Sequence, residues 1–572
     1  MITKLKSLLK KYYLVIILAL FVGVISSLPR YLATSRIPNF QGVYNQVVGD
    51  ETFYNARAKD VIDGHPYVTN PYLYEHKNDF PMQFWIPDYI LAKPIGWLHL
   101  SVPEGFIIWN FFLSAILVIL SYIILFVLTE SKYWSLLGTT YLHLVLFNGD
   151  FLRIPSPGLN FIFFLLTTLF FLLFLEKQKN WLAVLSSLSF GMLFNVYPYY
   201  WTFYVVLFAV FLTSSFILKI KDFPYKKLFL IFVGGLIVGI PYFISLYQSS
   251  KSPWYDETLA RIGLIQTHFP SGILIVSMAF LVIIFFLFSY FKGVLQINKQ
   301  SAFIFSGVLS AVIAVNQHLI TGKNLEFSSH YQMGSIFWFS FVVIYVLSIW
   351  FEKYGNKPKK IFLLCASLLI IVLSVVHTSK LVELEMTYEK GDIYNQNYAP
   401  IFDWLNSNSQ PDSVVFTNDS LSYYVPIYTA NNVFFNPFSA LFFMSNEEVE
   451  KRFIISHYFD NFTTDFVKAN QRTIFGGYYI DQYNHNLSKN KLRKLVGIKP
   501  VEYTLIPTEL VQKVVTDAKD IQKMNFKEGL FLYRVDYVIW DNIKNPEWKM
   551  DKLTFLKKLY SANGIIIFKI EL

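Results

Sequence analysis

Eleven predominantly apolar stretches crowd the first two-thirds of this chain, at 13–28, 105–128, 133–147, 158–175, 181–194, 199–218, 228–247, 272–291, 302–319, 335–351 and 361–376. A run of about 20 apolar residues spans a bilayer core as a helix, and a soluble domain has no interior large enough to hide so many. The 54% hydrophobic and 15% charged content, with mean hydropathy +0.41, points the same way. The expected fold class is a mostly α membrane bundle of about eleven transmembrane helices, several of them short for a span.

Lysine placement sets the expected orientation, because clustered positive charge resists translocation. Counting alternate connections, seventeen lysines fall on one side, in the groups around Lys4–Lys11, Lys132, Lys177–Lys179, Lys219–Lys227, Lys292–Lys299 and Lys353–Lys360. The short loops on the other side carry only Arg153, Lys251, Arg261 and Lys323. The chain therefore reads as a multi-pass integral plasma membrane protein, N-terminus cytoplasmic and C-terminal third extracytoplasmic. The net charge of +10 is then partly a topology signal, and no nucleic-acid partner is inferred from it. The first span, with its basic start and Ser26-Ser27, also fits a cleavable signal peptide; an uncleaved anchor is preferred. Cys365 is the single cysteine, so neither a disulfide framework nor a thiolate metal site is expected.

Two polar regions remain: the first outer loop, 30–104 within a membrane domain of 1–377, and a second domain, 378–572. Within the loop Asp50-Glu51 opens a polar run in which Tyr54, Ala58, Val61 and Ile62 fall on one helical face and Asn55, Lys59 and Asp63 on the opposite one. That pattern predicts a helix lying in the membrane interface, with a second interfacial segment over 82–100. Asp50 also suits a plain helix N-cap. In the C-terminal region strands are expected at 413–417, 432–435, 536–540 and 564–569, with helices at 445–457 and 549–560, making an extracytoplasmic α/β domain.

Asp50-Glu51-Thr52, Tyr54, Ala58-Lys59 and Gly64 together resemble the first-loop signature of GT-C superfamily glycosyltransferases, with likeness to the lipid A aminoarabinose transferases and protein O-mannosyltransferases. The motif covers about fifteen residues; the span number, the interfacial helices of the first loop and the outer C-terminal domain extend the resemblance along the chain. It implies an inverting glycosyltransferase acting on the extracytoplasmic face, with a polyprenyl-phosphate-linked sugar as donor and a glycan, lipid or protein as acceptor. It further implies Asp50 as the base, with Glu51 assisting or holding an optional divalent metal.

A leaving phosphate needs cations, and the outer side of the bundle offers few. Arg153, with Asp150 beside it as a second acidic group, is one candidate; a local Asp150 to Arg153 ion pair is the other reading. Asn160 stands where the resemblance leads one to expect an acid. Lys323 and His330, before the tenth span, form a second candidate group. Arg57 serves the donor or pairs along its helix, and for Lys59 pairing with a neighbouring acid is the preferred reading. The aromatic run Tyr197-Pro198-Tyr199-Tyr200-Trp201 reads as an interfacial belt rather than a sugar platform. A lipid-linked glycan transporter or flippase, or a polysaccharide polymerase or ligase, is the alternative function. Against transport, the spans hold almost no interior ionisable residues.

Overall fold

The eleven apolar stretches fall on helices over their described residues in the computed structural model, which describes residues 2–45, 49–81, 84–146, 154–324, 330–354, 360–385 and 390–571. The helices in chain order are α1 (Ile2–Ser35), α2 (Glu51–Ile62), α3 (Ile86–Trp97), α4 (Val102–Thr129), α5 (Lys132–Tyr141), α6 (Asn160–Lys177), α7 (Asn180–Val196) and α8 (Pro198–Ile217). They continue with α9 (Tyr225–Val238), α10 (Ile240–Ser249), α11 (Tyr255–Arg261), α12 (Ile273–Phe291), α13 (Lys299–Val315), α14 (His318–Thr321), α15 (His330–Tyr354) and α16 (Lys360–Glu385). Among the described residues, seven helices are long and apolar enough to cross a membrane, and α9 with α10, bent by 47°, makes an eighth span if taken as one. The expected stretches at 181–194 and 361–376 form shorter apolar helices, and 133–147 is divided between α5 and a wider turn of helix.

Local signals fix the helix ends. Ser101 accepts a hydrogen bond from the Glu104 amide to start α4, Asn298 and Ser301 cap α13 reciprocally, and Pro198 fills the first turn of α8. Pro198 also forces Tyr197 into extended backbone (φ −163°, ψ 127°), which separates α7 from α8 and turns the chain. Lys227, at the start of α9, donates to the Gln178 carbonyl just past α6 at 2.9 Å, and Lys353, near the end of α15, donates to the Gly293 carbonyl just past α12. The described lysine-bearing connections, 177–179 with 225–227 and 292–293 with 353–354, thus meet in pairs, and the contact between Ser214 of α8 and Ser306 of α13 joins them at the bundle end away from Tyr197.

The C-terminal region carries a five-stranded mixed sheet of β3 (Val414–Phe416), β4 (Asn432–Val433), β5 (Tyr537–Asp541), β6 (Leu556–Ala562) and β7 (Ile565–Ile570), in the order β4-β3-β5-β7-β6; β1 (Ile265–Gln266) and β2 (Lys323–Asn324) pair separately. Strand alternation divides its side chains between two cores. Val415, Ile539, Ile565 and Ile567 join the apolar core that continues into the bundle, whereas Phe416, Val538, Trp540 and Phe568 pack with Val511, Val514 and Phe526. The helix expected over 549–560 is absent: β6 occupies its second half. Asn563 (φ 51°) and Gly564 (φ 80°) form a two-residue turn between Ala562 and Ile565, the left-handed pair that closes a tight hairpin.

On the expected polar face of α2, Asp63 is exposed and Lys59 half-buried, but the third residue is withdrawn from water. Asn55 on the supposed polar side is fully buried, and Phe53 packs against Phe438 and Phe442 of the C-terminal region at 5.4 and 6.0 Å. The helix is covered on one side by α3 and α4 and on the other by the C-terminal segment Val425–Tyr428. Backbone contacts extend the junction: the Val433 amide reaches the Tyr72 carbonyl at 2.8 Å, and the Gln396 side chain spans the Gln41 amide and the Val43 carbonyl.

Candidate functional site

A cavity of about 1770 Å³ opens at the end of the bundle opposite the lysines, enclosed by the starts of α2 and α3, the α7–α8 junction, α10, the first residue of α15 and part of the C-terminal region. It exceeds the few hundred to about 1,000 Å³ of an ordinary small-ligand pocket, which suits an elongated substrate.

Asp50 lines this cavity at the N-cap position of α2, yet its side chain makes no capping hydrogen bond; the backbone there (φ −110°, ψ 15°) is not the extended form in which an N-cap carboxylate reaches the next turn. The capping role that would explain this acid structurally is therefore not the one it performs. Glu51, one residue on, is buried in an ion pair with Arg30 of α1 and does not line the cavity. Among the described residues no three His, Cys, Asp or Glu side chains converge as a metal site, and Glu51 is engaged by Arg30.

Arg57, two turns into α2, reaches the cavity wall but is held there from three directions. Its guanidinium meets both oxygens of Asp88 on α3, at 3.2 and 2.6 Å, donates to the Phe84 carbonyl at 2.6 Å and lies 5.1 Å from the Phe53 ring. Burial pushes the Asp88 carboxyl up, and the Arg57 charge opposes that shift. Deeper along α2, Asp60 takes Lys77 and His65, and Lys59 pairs with Asp63 as the spacing suggested.

Opposite Asp50 stands an aromatic wall. Tyr197, Tyr199, Tyr200 and Trp201 all face the cavity, with Tyr199 and Tyr200 buried, so this run is a lining and not a lipid-facing belt. His330 opens α15 within it: its Nδ1 contacts the Tyr197 hydroxyl, and its ring lies 4.7 Å from that of Tyr199. Asn160, at the start of α6, also lines the cavity, and its buried Oδ1 has no hydrogen-bond partner among the described residues.

The roof belongs to the C-terminal region. Arg472, Gly476, Gly477 and Asp481 face the cavity, and the exposed Arg472 side chain forms no ion pair among the described residues. Arg261 of α11 anchors the roof: buried, it donates to the carbonyls of Ala440, Phe442 and Met444 and to Asn446 Oδ1. Burial draws its pKa down to about 10, which leaves it charged at neutral pH. Its own carbonyl accepts from the Gly477 amide at 2.6 Å, and a Cβ at Gly476 (φ +67°) would collide with that same carbonyl, so glycine is required there.

Of the residues singled out from sequence, Asp50, Arg57 and His330 thus share one cavity. Lys323 sits exposed on β2 and does not line it. Asp150 and Arg153 lie outside the described residues. Asp88, Arg261 and Arg472 were not singled out for the site; Asp88 and Arg472 stand in segments with no motif, brought in by tertiary contacts alone.

No family model matches the sequence, and no curated protein matches it. Among solved structures the chain is similar to an oligosaccharyltransferase of Archaeoglobus fulgidus, crystallised with an acceptor peptide tethered by a disulfide bond, at 11% identity and a TM-score of 0.43, covering 95% of this chain and 70% of that one.

Proposed function

We propose that this protein is an inverting glycosyltransferase of GT-C type that takes a sugar from a polyprenyl-phosphate donor on the extracytoplasmic face of the membrane. One observation carries the reading: Asp50, at the mouth of an apolar bundle and not used as a cap, faces a large cavity that also presents His330, Arg472 and a tyrosine-rich wall. Asp50 accepts the proton of the acceptor's nucleophilic group while that group's bond to the sugar's anomeric carbon forms. The carbon–oxygen bond to the phosphate breaks on the opposite face, which inverts the configuration, and the negative charge that develops on the phosphate is met by cations. Arg472 and His330 are the described candidates for that role, with Arg153 a further one. Arg57 shapes the wall through Asp88.

The lysine-rich connections at the far end of the bundle support the orientation, since they belong in the cytoplasm. In this reading 1–377 is the membrane domain that binds the donor, and 378–572 is an outer α/β region that covers the site and meets the glycan, lipid or protein acceptor. The test is incubation of purified protein with radiolabelled polyprenyl-phosphate sugar and a membrane acceptor pool. Transfer of label supports the reading, whereas movement of the lipid-linked sugar between leaflets without transfer refutes it in favour of a transporter.

A further inference from the structure

The helix Tyr478–Leu495 leaves the cavity roof at Gly477 and has no buried side chain along its 18 residues. Its middle is fixed to the bundle. His485 Nε2 lies 2.8 Å from Thr267 Oγ1, its ring meets Phe269 at 5.7 Å, and Lys489 Nζ stands 6.0 Å from the same ring. Phe269 directly precedes the chain's entry into the apolar helix α12, whose first residue, Ile273, is 79% exposed. The helix is therefore held at the level where a span begins.

Beyond that tie the chain forms a shaped tip. Gly497 (φ +73°) ends the helix, the Ile498 amide returns to the Arg493 carbonyl at 2.8 Å, and Asn490 clasps both the amide and the carbonyl of Val501. This fixed tip leaves Leu492, Leu495, Val496 and Ile498 exposed, Leu495 by 82%. Lys489, Lys491, Arg493, Lys494 and Lys499 are interspersed among them, and no Asp or Glu stands between Asp481 and Glu502.

Solvent does not account for this combination. Apolar side chains held out beside cations that form no ion pair among the described residues match an anionic lipid surface, in which the apolar tip enters the acyl boundary and the cations meet headgroup phosphates. We infer that the tip 489–501 is a membrane-surface anchor that binds anionic lipid of the bilayer the bundle spans, and through Tyr478–Leu495 holds the roof over the cavity. This anchor depends on the membrane placement of α12 and not on the chemistry assigned to the cavity.

The test uses the full chain in lipid nanodiscs. Cys365→Ser removes the single native thiol, Leu495→Cys supplies a new one for a fluorophore, and Lys523→Cys, on an exposed helix end elsewhere in the C-terminal region, serves as the aqueous control. In discs containing phosphatidylglycerol the label at 495 should be quenched by lipids spin-labelled on the acyl chain and be several-fold less open to iodide than the label at 523. Reversing Lys491, Lys494 and Lys499 to Glu should return it to the iodide-accessible state. Equal iodide quenching at the two positions overturns the anchor. So does shielding from both quenchers, which would mean a second protein copy covers the tip, and so does lipid quenching that the charge reversal leaves unchanged.

Discussion

Arg57 on α2 and Asp88 on α3 meet through two parallel contacts of 3.2 and 2.6 Å, with both side chains almost wholly withdrawn from water. The pair joins the two helices of the first loop, and so sets where Asp50, at the head of α2, stands in the cavity. Removing one partner leaves a buried charge alone, which costs about 3–5 kcal/mol, while replacing both with apolar residues is far milder. Arg57→Ala and Asp88→Ala should each lower the thermal midpoint strongly, and Arg57→Met with Asp88→Leu should recover most of it. An unchanged melting curve for Asp88→Ala would contradict this role.

Glu51 and Arg30 form a second buried pair, from α2 to α1. Glu51→Gln is expected to lower stability and reduce transfer less than Asp50→Asn does. If the role of Glu51 is to neutralise Arg30, adding Arg30→Gln to Glu51→Gln should restore part of the lost stability. A rate defect that persists in a fully stable double variant would move Glu51 into the chemistry.

Cations near the leaving phosphate should show themselves in donor affinity. Charge-assisted contacts in a partly dehydrated site contribute about 1.5–3 kcal/mol each, roughly ten- to a hundredfold in binding. Arg472→Ala, His330→Ala and Arg153→Ala are expected to weaken binding of a polyprenyl-phosphate sugar within that range. Lys251→Ala, on the exposed turn after α10, is the control. Equal affinities across the four variants would remove all three residues from the site.

The helices were legible because each apolar run carries its own signal, and nearly every boundary was marked by a proline, a cap or a charge. The place of Asp50 at the head of α2 was legible for the same local reason. The misjudgements came where a partner distant in sequence decides the outcome. Amphipathic spacing in α2 suggested a wet face throughout, but packing against α3, α4 and the C-terminal segment Val425–Tyr428 leaves Asn55 fully buried. Tyr197 to Trp201 have the composition of an interfacial belt, and only the break at Pro198 turns them towards the cavity. At 549–560, Asn563-Gly564 was the hairpin signal that should have outweighed a helical reading of the lysines before it.

The first loop is also latched to the C-terminal region by charge. His76 lies between Asp79, at 2.7 Å, and Glu448, at 3.2 Å, and Arg452 reaches Glu75 at 2.9 Å. Burial works against the His76 charge, but the hydrogen bonds it donates to both carboxylates outweigh it and hold the imidazolium up to a pKa of about 9. Burial likewise opposes the Glu448 charge, and His76 and Arg452 bring its pKa below the ordinary value of 4.5. A raised histidine stabilises fully below its ordinary value of 6.5 and loses that contribution as pH rises through 9, whereas the depressed Glu448 loses its own only in acid. The latch should therefore be complete between pH 4.5 and 6.5 and weaken by on the order of 1–3 kcal/mol at alkaline pH. Hydrogen exchange over 74–79 and 446–452, corrected for the intrinsic rate, should rise across that alkaline range in the wild type. In His76→Asn it should be high and flat; a flat wild-type profile would count against the latch.

The central claim is that Asp50 takes the acceptor's proton in glycosyl transfer, and paired measurements on one variant test it most directly. Purified wild type and Asp50→Asn, in the same lipid, are compared for binding of a radiolabelled polyprenyl-phosphate sugar and for its transfer to acceptor. The account predicts that Asp50→Asn binds the donor within a few-fold of wild type and transfers essentially none of it. Transfer at the wild-type rate by Asp50→Asn would contradict the account.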